Sequence, residues 1–126
     1  MDERTFKLRT RNFALETIKL IDSLPRSRTA DVIAAQLLRS STSVGANYRA
    51  ACRARSTADM INKLRTVEEE SDESIYWLES LTEAKLMSED SAKWLLKEGN
   101  EILAMTIASI KTLQSHNRKS EIVNPK

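Results

Sequence analysis

The amino-acid sequence predicts an all-α protein, an antiparallel up-down-up-down four-helix bundle, and three observations lead to this fold class. Apolar residues recur at helical spacing in four segments of the chain. Only two glycines and two prolines interrupt its 126 residues, too few for the turns of a multi-stranded sheet. Residues that cap helices lie between the segments, and long helices joined by such short connections pack as antiparallel neighbours.

The first two helices are bounded by proline and by capping residues. Helix 1 is predicted from about Asp2 to Leu24, because Pro25 follows and cannot continue a helix. Helix 2 is predicted to begin after the capping cluster of Ser27, Thr29 and Asp31 and to run to about Ala54.

Serine residues open the last two helices. Helix 3 is predicted from Ser56 to about Lys85, and helix 4 from Ser88 to about His116. Two acidic residues lie in the first turn of helix 4, where the helix dipole favours negative charge.

A chain of this length predicts one domain. We expect the bundle to occupy residues 1–116. The polar segment 117–126 is expected to be a frayed tail.

The stretch RSSTSVGANYRAACRARS in helix 2 is unusually rich in small and basic residues. On a helical wheel Ser41 and Gly45 lie on the apolar face, where small side chains let a neighbouring backbone approach closely. Arg39, Arg49 and Arg53 lie together on one flank of that face. Helix 2 is therefore expected to pack closely on one side and to present cations on another.

Helix 3 carries a carboxylate that has two possible surroundings. Antiparallel pairing brings Glu70 and Ser71 level with Ser40 and Ser41 of helix 2. Glu70 is then either bonded to these hydroxyl groups or exposed to solvent, and the sequence leaves both interpretations open.

Helix 4 has more apolar surface than one bundle core uses. Its apolar residues span over about 200° of the wheel, roughly twice the arc that faces a single core. The excess predicts a contact between protomers. The residues expected at this oligomer interface are Trp77, Trp94, Leu96, Leu103 and Ile107.

The usual signatures of catalysis are weak, so we expect no enzyme, no cofactor and no metal ion. The single histidine, His116, cannot supply the paired ligands of a di-metal bundle or a base for Cys52. Cys52 is expected to be a buried core thiol. The acidic run EEESDE is expected to be solvated or paired with arginine. Because no signal peptide or membrane-spanning run is present, the cytoplasm is the expected location.

Basic residues are unevenly distributed along the chain. Residues 1–65 carry 13 Lys and Arg against 6 Asp and Glu, a net charge of +7, whereas residues 66–126 carry 7 against 12, a net charge of −5. The predicted topology collects most of the cations at one end of the bundle. Such an end suits a phosphate backbone, although an acidic protein partner and a patch with no function remain alternatives. The residues expected to bind nucleic acid are Arg4, Lys7, Arg11, Arg49, Arg53 and Arg55.

Two segments carry a resemblance to a known family. The helix 2 stretch and INKLRTVEEESDESIYWLESL of helix 3 resemble the four helix bundle protein family, also called intervening-sequence proteins because members are encoded within bacterial large-subunit ribosomal RNA genes. The resemblance implies a four-helix protomer, assembly as a homopentamer and no established enzymatic activity. The accessory protein of diversity-generating retroelements is similar in fold, and it associates with a reverse transcriptase and nucleic acid. Tyr48 to Ala51 replace the family's frequent Ile-Ala-Glu-Gly run, which suggests an Arg-rich subgroup.

The sequence therefore predicts a cytoplasmic, non-enzymatic, homo-oligomeric bundle whose basic end binds RNA or DNA. The alternative is a scaffold or accessory subunit that binds an acidic or nucleic-acid-handling protein. No membrane partner is expected.

Overall fold

The computed structural model describes residues 2–123, and the surroundings of their side chains up to residue 119. Four helices pack together, and the described residues contain no strand, which confirms the all-α prediction. The helices are α1 (Glu3–Ser23), α2 (Arg28–Cys52), α3 (Thr57–Glu83) and α4 (Glu89–Val123). None of the described helices is sufficiently long and apolar to span a bilayer.

Each helix begins directly after a residue whose side chain caps it. The cap accepts a hydrogen bond from a backbone N–H of the first turn, which otherwise has no partner within the helix. The pairs are Asp2 with Thr5, Ser27 with Ala30, Ser56 with Asp59, and Ser88 with Ser91. The predicted starts of α1, α3 and α4 therefore agree with the structure to within about one residue, whereas α2 begins at Arg28, within the predicted capping cluster, because Ser27 alone caps it.

The end of α4 differs from the prediction. The helix continues to Val123, past the expected end at about His116. The polar residues after Leu113 do not break a helix, and the first breaker is Pro125, which disfavours helical backbone at the residue before it. Residues 124–126 of the predicted tail lie outside the described residues.

Two contacts show which residues of neighbouring helices lie side by side. The ring of Phe6 in α1 lies edge-on to the ring of Tyr48 in α2, with centroids 4.6 Å apart. The Ser74 hydroxyl of α3 donates to the Ser40 hydroxyl of α2 over 3.0 Å. Around these contacts an apolar core includes fully buried side chains from all four helices, among them Phe13, Leu37, Leu64, Leu78 and Ile102.

Glycine and the small side chains of serine and threonine let the helices approach closely. Seven serine and threonine side chains are buried: Thr10, Thr17, Ser40, Ser41, Ser71, Ser74 and Thr106. Each of them donates to a carbonyl group about one turn earlier in its own helix. Among the described residues no buried side-chain polar atom lacks a partner, so burying these hydroxyls leaves no unpaired donor.

The carboxylate of Glu70 does not bond to the hydroxyl groups of α2, and it has instead the arginine partner that was expected for the acidic run. Its carboxylate accepts from the Arg39 guanidinium over 3.2 Å, and Ser74 takes the place beside Ser40. Arg39 also pairs with Glu73, which accepts a 3.0 Å hydrogen bond from the indole N–H of Trp77. The acidic run is thus partly paired with arginine, and Arg39 joins α2 to α3.

The two glycines provide a test of this packing. A Cβ atom at Gly45 would lie 3.4 Å from Thr10 Oγ1, an ordinary contact, so Gly45→Ala should stabilise the protein by up to about 1 kcal/mol through helix propensity. A Cβ atom at Gly99 would lie 3.2 Å from Ile75 Cγ1 and 3.4 Å from Phe13 Cε1. Because both neighbours are buried, Gly99→Ala should lower the free energy of unfolding. Denaturant titrations of the two variants check this, and changes of the same sign would contradict it.

A second prediction concerns pH. The hydrogen bond from Trp77, and then Arg39, lower the pKa of Glu73 below its ordinary value. A carboxylate with a lowered pKa in the folded state stabilises the protein above its ordinary pKa, and this stabilisation is lost as the pH falls through the lowered value. Trp77→Phe should therefore raise the pKa of Glu73, measured by NMR of its carboxyl carbon.

The matched control is Tyr76→Phe. The ring of Tyr76 lies edge-on to that of Trp77, but its hydroxyl gives no hydrogen bond to Glu73. The control should leave the pKa of Glu73 unchanged. An unchanged pKa in Trp77→Phe would mean that the indole N–H does not hold this carboxylate.

Candidate functional site

The structure separates the basic residues into two groups, and the first consists of arginines that are already paired. Arg9 of α1 donates from Nε to Glu98 Oε2 over 3.0 Å and from Nη2 to Glu101 Oε1 over 3.1 Å. The bond to Glu98 is the main reason why the pKa of Arg9 is raised. Arg39 is held by Glu70 and Glu73 in the same way. Arg39, which the helical wheel places beside Arg49 and Arg53, and Arg9 therefore link helices to one another.

The second group consists of exposed cations, and most of them form no ion pair among the described residues. Within the part of the chain that the structure describes, Arg11, Arg49, Arg53 and Arg55 form none, and all four are exposed. Arg4 is also exposed, on the first turn of α1. Lys7 lies 3.5 Å from Glu3, a solvent-exposed pair that contributes little to stability and leaves the lysine available.

Two clefts bring these cations together. A cleft of about 600 Å³ between α1 and α2 is lined by Lys7, Arg11, Arg49 and Arg53. A second cleft, of about 730 Å³, lies between α2 and the start of α3. Its basic lining residues are Arg49, Arg53, Arg55 and Lys63. We call this surface the basic double cleft. It unites five of the six residues that the sequence predicts to bind nucleic acid, and it adds Lys63.

The local sequence of α2 explains this shape. Val44, Tyr48 and Ala51 are buried, so the helix turns Arg49 and Arg53 away from the core. The residues beside the two arginines are Gly45, Ala46 and Ala50, whose small side chains leave open space on both sides of the helix. Arg49 and Arg53 therefore form a ridge that both clefts share.

The other groups considered in the sequence lie apart from this surface or contribute little to it. Cys52 is half-buried against the core, and burial raises the pKa of its thiol, which stays protonated at neutral pH. His116 is exposed on α4. Among the described residues, no three His, Cys, Asp or Glu side chains are grouped so as to hold a metal ion.

The residues predicted at an oligomer interface have unequal exposure. Trp94 is 47% exposed, whereas Leu96, Leu103 and Ile107 are half-buried on α4. Trp77 is half-buried beside Glu73.

The sequence interpretation missed another apolar surface. Leu15 of α1 is 47% exposed, and Ile18 and Leu38 are 37% and 39% exposed. The signal was present in α1, because Leu15 falls on the side of the helical wheel opposite Phe6 and Phe13. We call Leu15, Ile18 and Leu38 the α1–α2 apolar patch.

Comparisons with known proteins relate this chain to a protein family and to a solved structure. A sequence model described as 23S rRNA-intervening sequence protein matches residues 5–108. The chain is also similar to a crystal structure of a protein of unknown function from the S23 ribosomal protein family of Bacteroides thetaiotaomicron. The two are 34% identical with a TM-score of 0.81, and the match covers 88% of this chain and 99% of that one. None of the curated proteins compared with the chain matches it.

Proposed function

The chain belongs to the 23S rRNA-intervening sequence protein family, and we propose that it is a non-enzymatic, cytoplasmic oligomer that binds nucleic acid through the basic double cleft. It acts by binding, without a cofactor. The family's name refers to RNA, but the proposal rests on the chemistry of the surface.

The observation that carries the proposal is the separation of the cations. Acidic residues hold Arg9 and Arg39, while Arg11, Arg49 and Arg53 line one cleft with no carboxylate within ion-pair distance among the described residues. Concentrated cations repel one another, and a row of phosphates relieves this repulsion while releasing counterions. The carboxyl-terminal dipole of α2 favours Arg49 and Arg53, but it gives no reason for Lys7 and Arg11 at the start of α1.

We propose further that the protomer is an antiparallel up-down-up-down bundle and that it forms a ring of five, as the family resemblance implies. The contacts of Phe6 with Tyr48 and of Ser40 with Ser74 support the antiparallel order. A ring needs two different surfaces on each protomer, one for each neighbour.

Two apolar surfaces of the protomer suit this requirement. One is the α4 surface around Trp94, and the other is the α1–α2 apolar patch. In the antiparallel order Trp94 is level with Ile18, so the two surfaces lie at the same height along the helices. Leu15 also lines the α1–α2 cleft, so the α1–α2 apolar patch adjoins the basic double cleft, whereas Trp94 lines neither cleft.

The ring can be tested by complementation. Trp94→Glu damages the α4 surface and Leu15→Glu damages the α1–α2 apolar patch, so each variant alone should lose the multimer seen for the unaltered protein by light scattering. In an equal mixture each variant supplies the surface that the other lacks, and a heterodimer should form. A variant that keeps the full multimer, or a mixture that stays monomeric, would contradict this arrangement.

The nucleic-acid interface can be tested at Arg49 and Arg53. Replacing both with alanine should weaken binding to generic RNA and DNA, because contacts to phosphates are lost. Each lost contact should also reduce the slope of log K against log salt by about 0.9. Filter-binding titrations at several salt concentrations measure both quantities. Circular dichroism and light scattering should be unchanged, since both arginines are exposed.

The control has the same change in charge. Arg28 and Lys93 are exposed near the starts of α2 and α4, and their replacement by alanine should leave binding nearly unaffected. Equal losses from both double variants would mean diffuse charge attraction and would contradict a defined site. Failure of the unaltered protein to bind any nucleic acid would favour the alternative, a scaffold for an acidic or nucleic-acid-handling protein.

A further inference from the structure

Resting on the proposed function, we infer that the basic double cleft binds double-stranded nucleic acid through its two phosphate backbones, without regard to base sequence. The two strands follow the two clefts, and the ridge of Arg49 and Arg53 faces the groove between them. Three features of the surface carry this inference.

The first feature is the spacing of the cations across the helices. Lys7 and Arg11 stand on α1, Arg49 and Arg53 on α2, and Lys63 on α3. Neighbouring helices of the bundle lie about 8–10 Å apart, and α1 and α3 stand diagonally across it, so the axes that carry the outer rows of cations are about 11–14 Å apart. A single strand presents one row of phosphates and can occupy one cleft. A duplex presents two rows on either side of a groove about 6 or 12 Å wide, and so reaches all three helices together.

The second feature is the position of the aromatic residues. Proteins that bind single strands stack the bases on exposed aromatic rings. All six aromatic residues of this chain are described by the structure, and none of them lines either cleft. Phe6, Phe13 and Tyr48 are buried. Tyr76 and Trp77 lie about 20 Å along α3 from Lys63, at 1.5 Å per residue. Unstacked bases would therefore find no ring on this surface.

The third feature is the lack of free neutral polar side chains that could read base edges. The hydroxyl groups of Thr10 and Thr42 donate to carbonyl groups of their own helices. Ser56 caps α3, and Asp59 accepts from the backbone N–H of Arg55. The remaining walls are formed by glycine, alanine and leucine. Direct readout needs donors and acceptors aimed at the bases, and here the arginines and lysines, which can bond to guanine, are the groups free to supply them.

The test compares strandedness in one series of titrations. An RNA strand of low self-complementarity, the equivalent DNA strand, and each strand annealed to its complement are titrated with the full-length protein. The duplexes should bind at least tenfold more tightly than the single strands and show a steeper dependence on salt, because they engage more phosphates. Comparing the affinities for the RNA duplex and the DNA duplex shows which of the two the protein prefers. A scrambled base sequence should give the same affinity.

Variants of the two outer rows make the test specific. Lys7→Ala with Arg11→Ala removes the α1 row, and Arg55→Ala with Lys63→Ala removes cations at the start of α3. Each double variant should weaken duplex binding several-fold. A variant that carries all four substitutions should bind the duplex no more tightly than a single strand.

The outcomes separate this inference from the proposed function. Single strands that bind as tightly as duplexes, or a duplex affinity that depends on one outer row alone, would overturn the inference while leaving nucleic-acid binding intact. A strong dependence on base sequence would overturn it as well. If neither form binds, the proposed function itself fails.

Discussion

The close approach of the helices is the constraint on which the rest of this structure depends. Gly45 lies against the backbone of Thr10, Gly99 lies against Phe13 and Ile75, and Ser40 meets Ser74 between α2 and α3. Bulky side chains at these positions would separate the helices and widen the core. Because the buried hydroxyls are satisfied within their own helices, close packing requires no wider network of polar partners. Gly45, together with Ala46 and Ala50, also keeps α2 narrow near its end, which is why a cleft opens on either side of it.

Internal ion pairs determine which cations remain available. Arg9 joins α1 to α4 through Glu98 and Glu101, and Arg39 joins α2 to α3 through Glu70 and Glu73. The acidic second half of the chain therefore neutralises part of the basic first half within the protomer. What remains exposed is a compact positive surface, although the net charge of the whole chain is only +2. A chain with a small net charge can therefore carry a strongly positive surface, because several of its acidic residues are paired with Arg9 and Arg39.

Much of the fold could be predicted because its signals are local. Each helix start depends on one capping side chain, and the face of α2 that carries Arg49 and Arg53 follows from helical periodicity. The partner of Ser40 could not be predicted, since Ser71 and Ser74 share one face of α3 and a small rotation of the helix decides between them. The pairing of Arg9 and Arg39 depends on long side chains reaching across a helix interface, which periodicity does not specify. The positions of Lys7 and Arg11 beside α2 followed from the predicted topology. The cleft that they share with Arg49 and Arg53 could be recognised only in the structure.

The buried hydroxyls also bear on how the stability of this protein changes with temperature. The heat-capacity change of unfolding increases with the apolar surface that becomes exposed and decreases with the polar surface. A core that includes four serines and three threonines exposes less apolar surface on unfolding than one built from alanine, valine and leucine alone. The curve of stability against temperature is accordingly flatter. Such a bundle keeps a more even stability between cold and warm conditions, because its packing relies on the close fit of small side chains as well as on the exclusion of water.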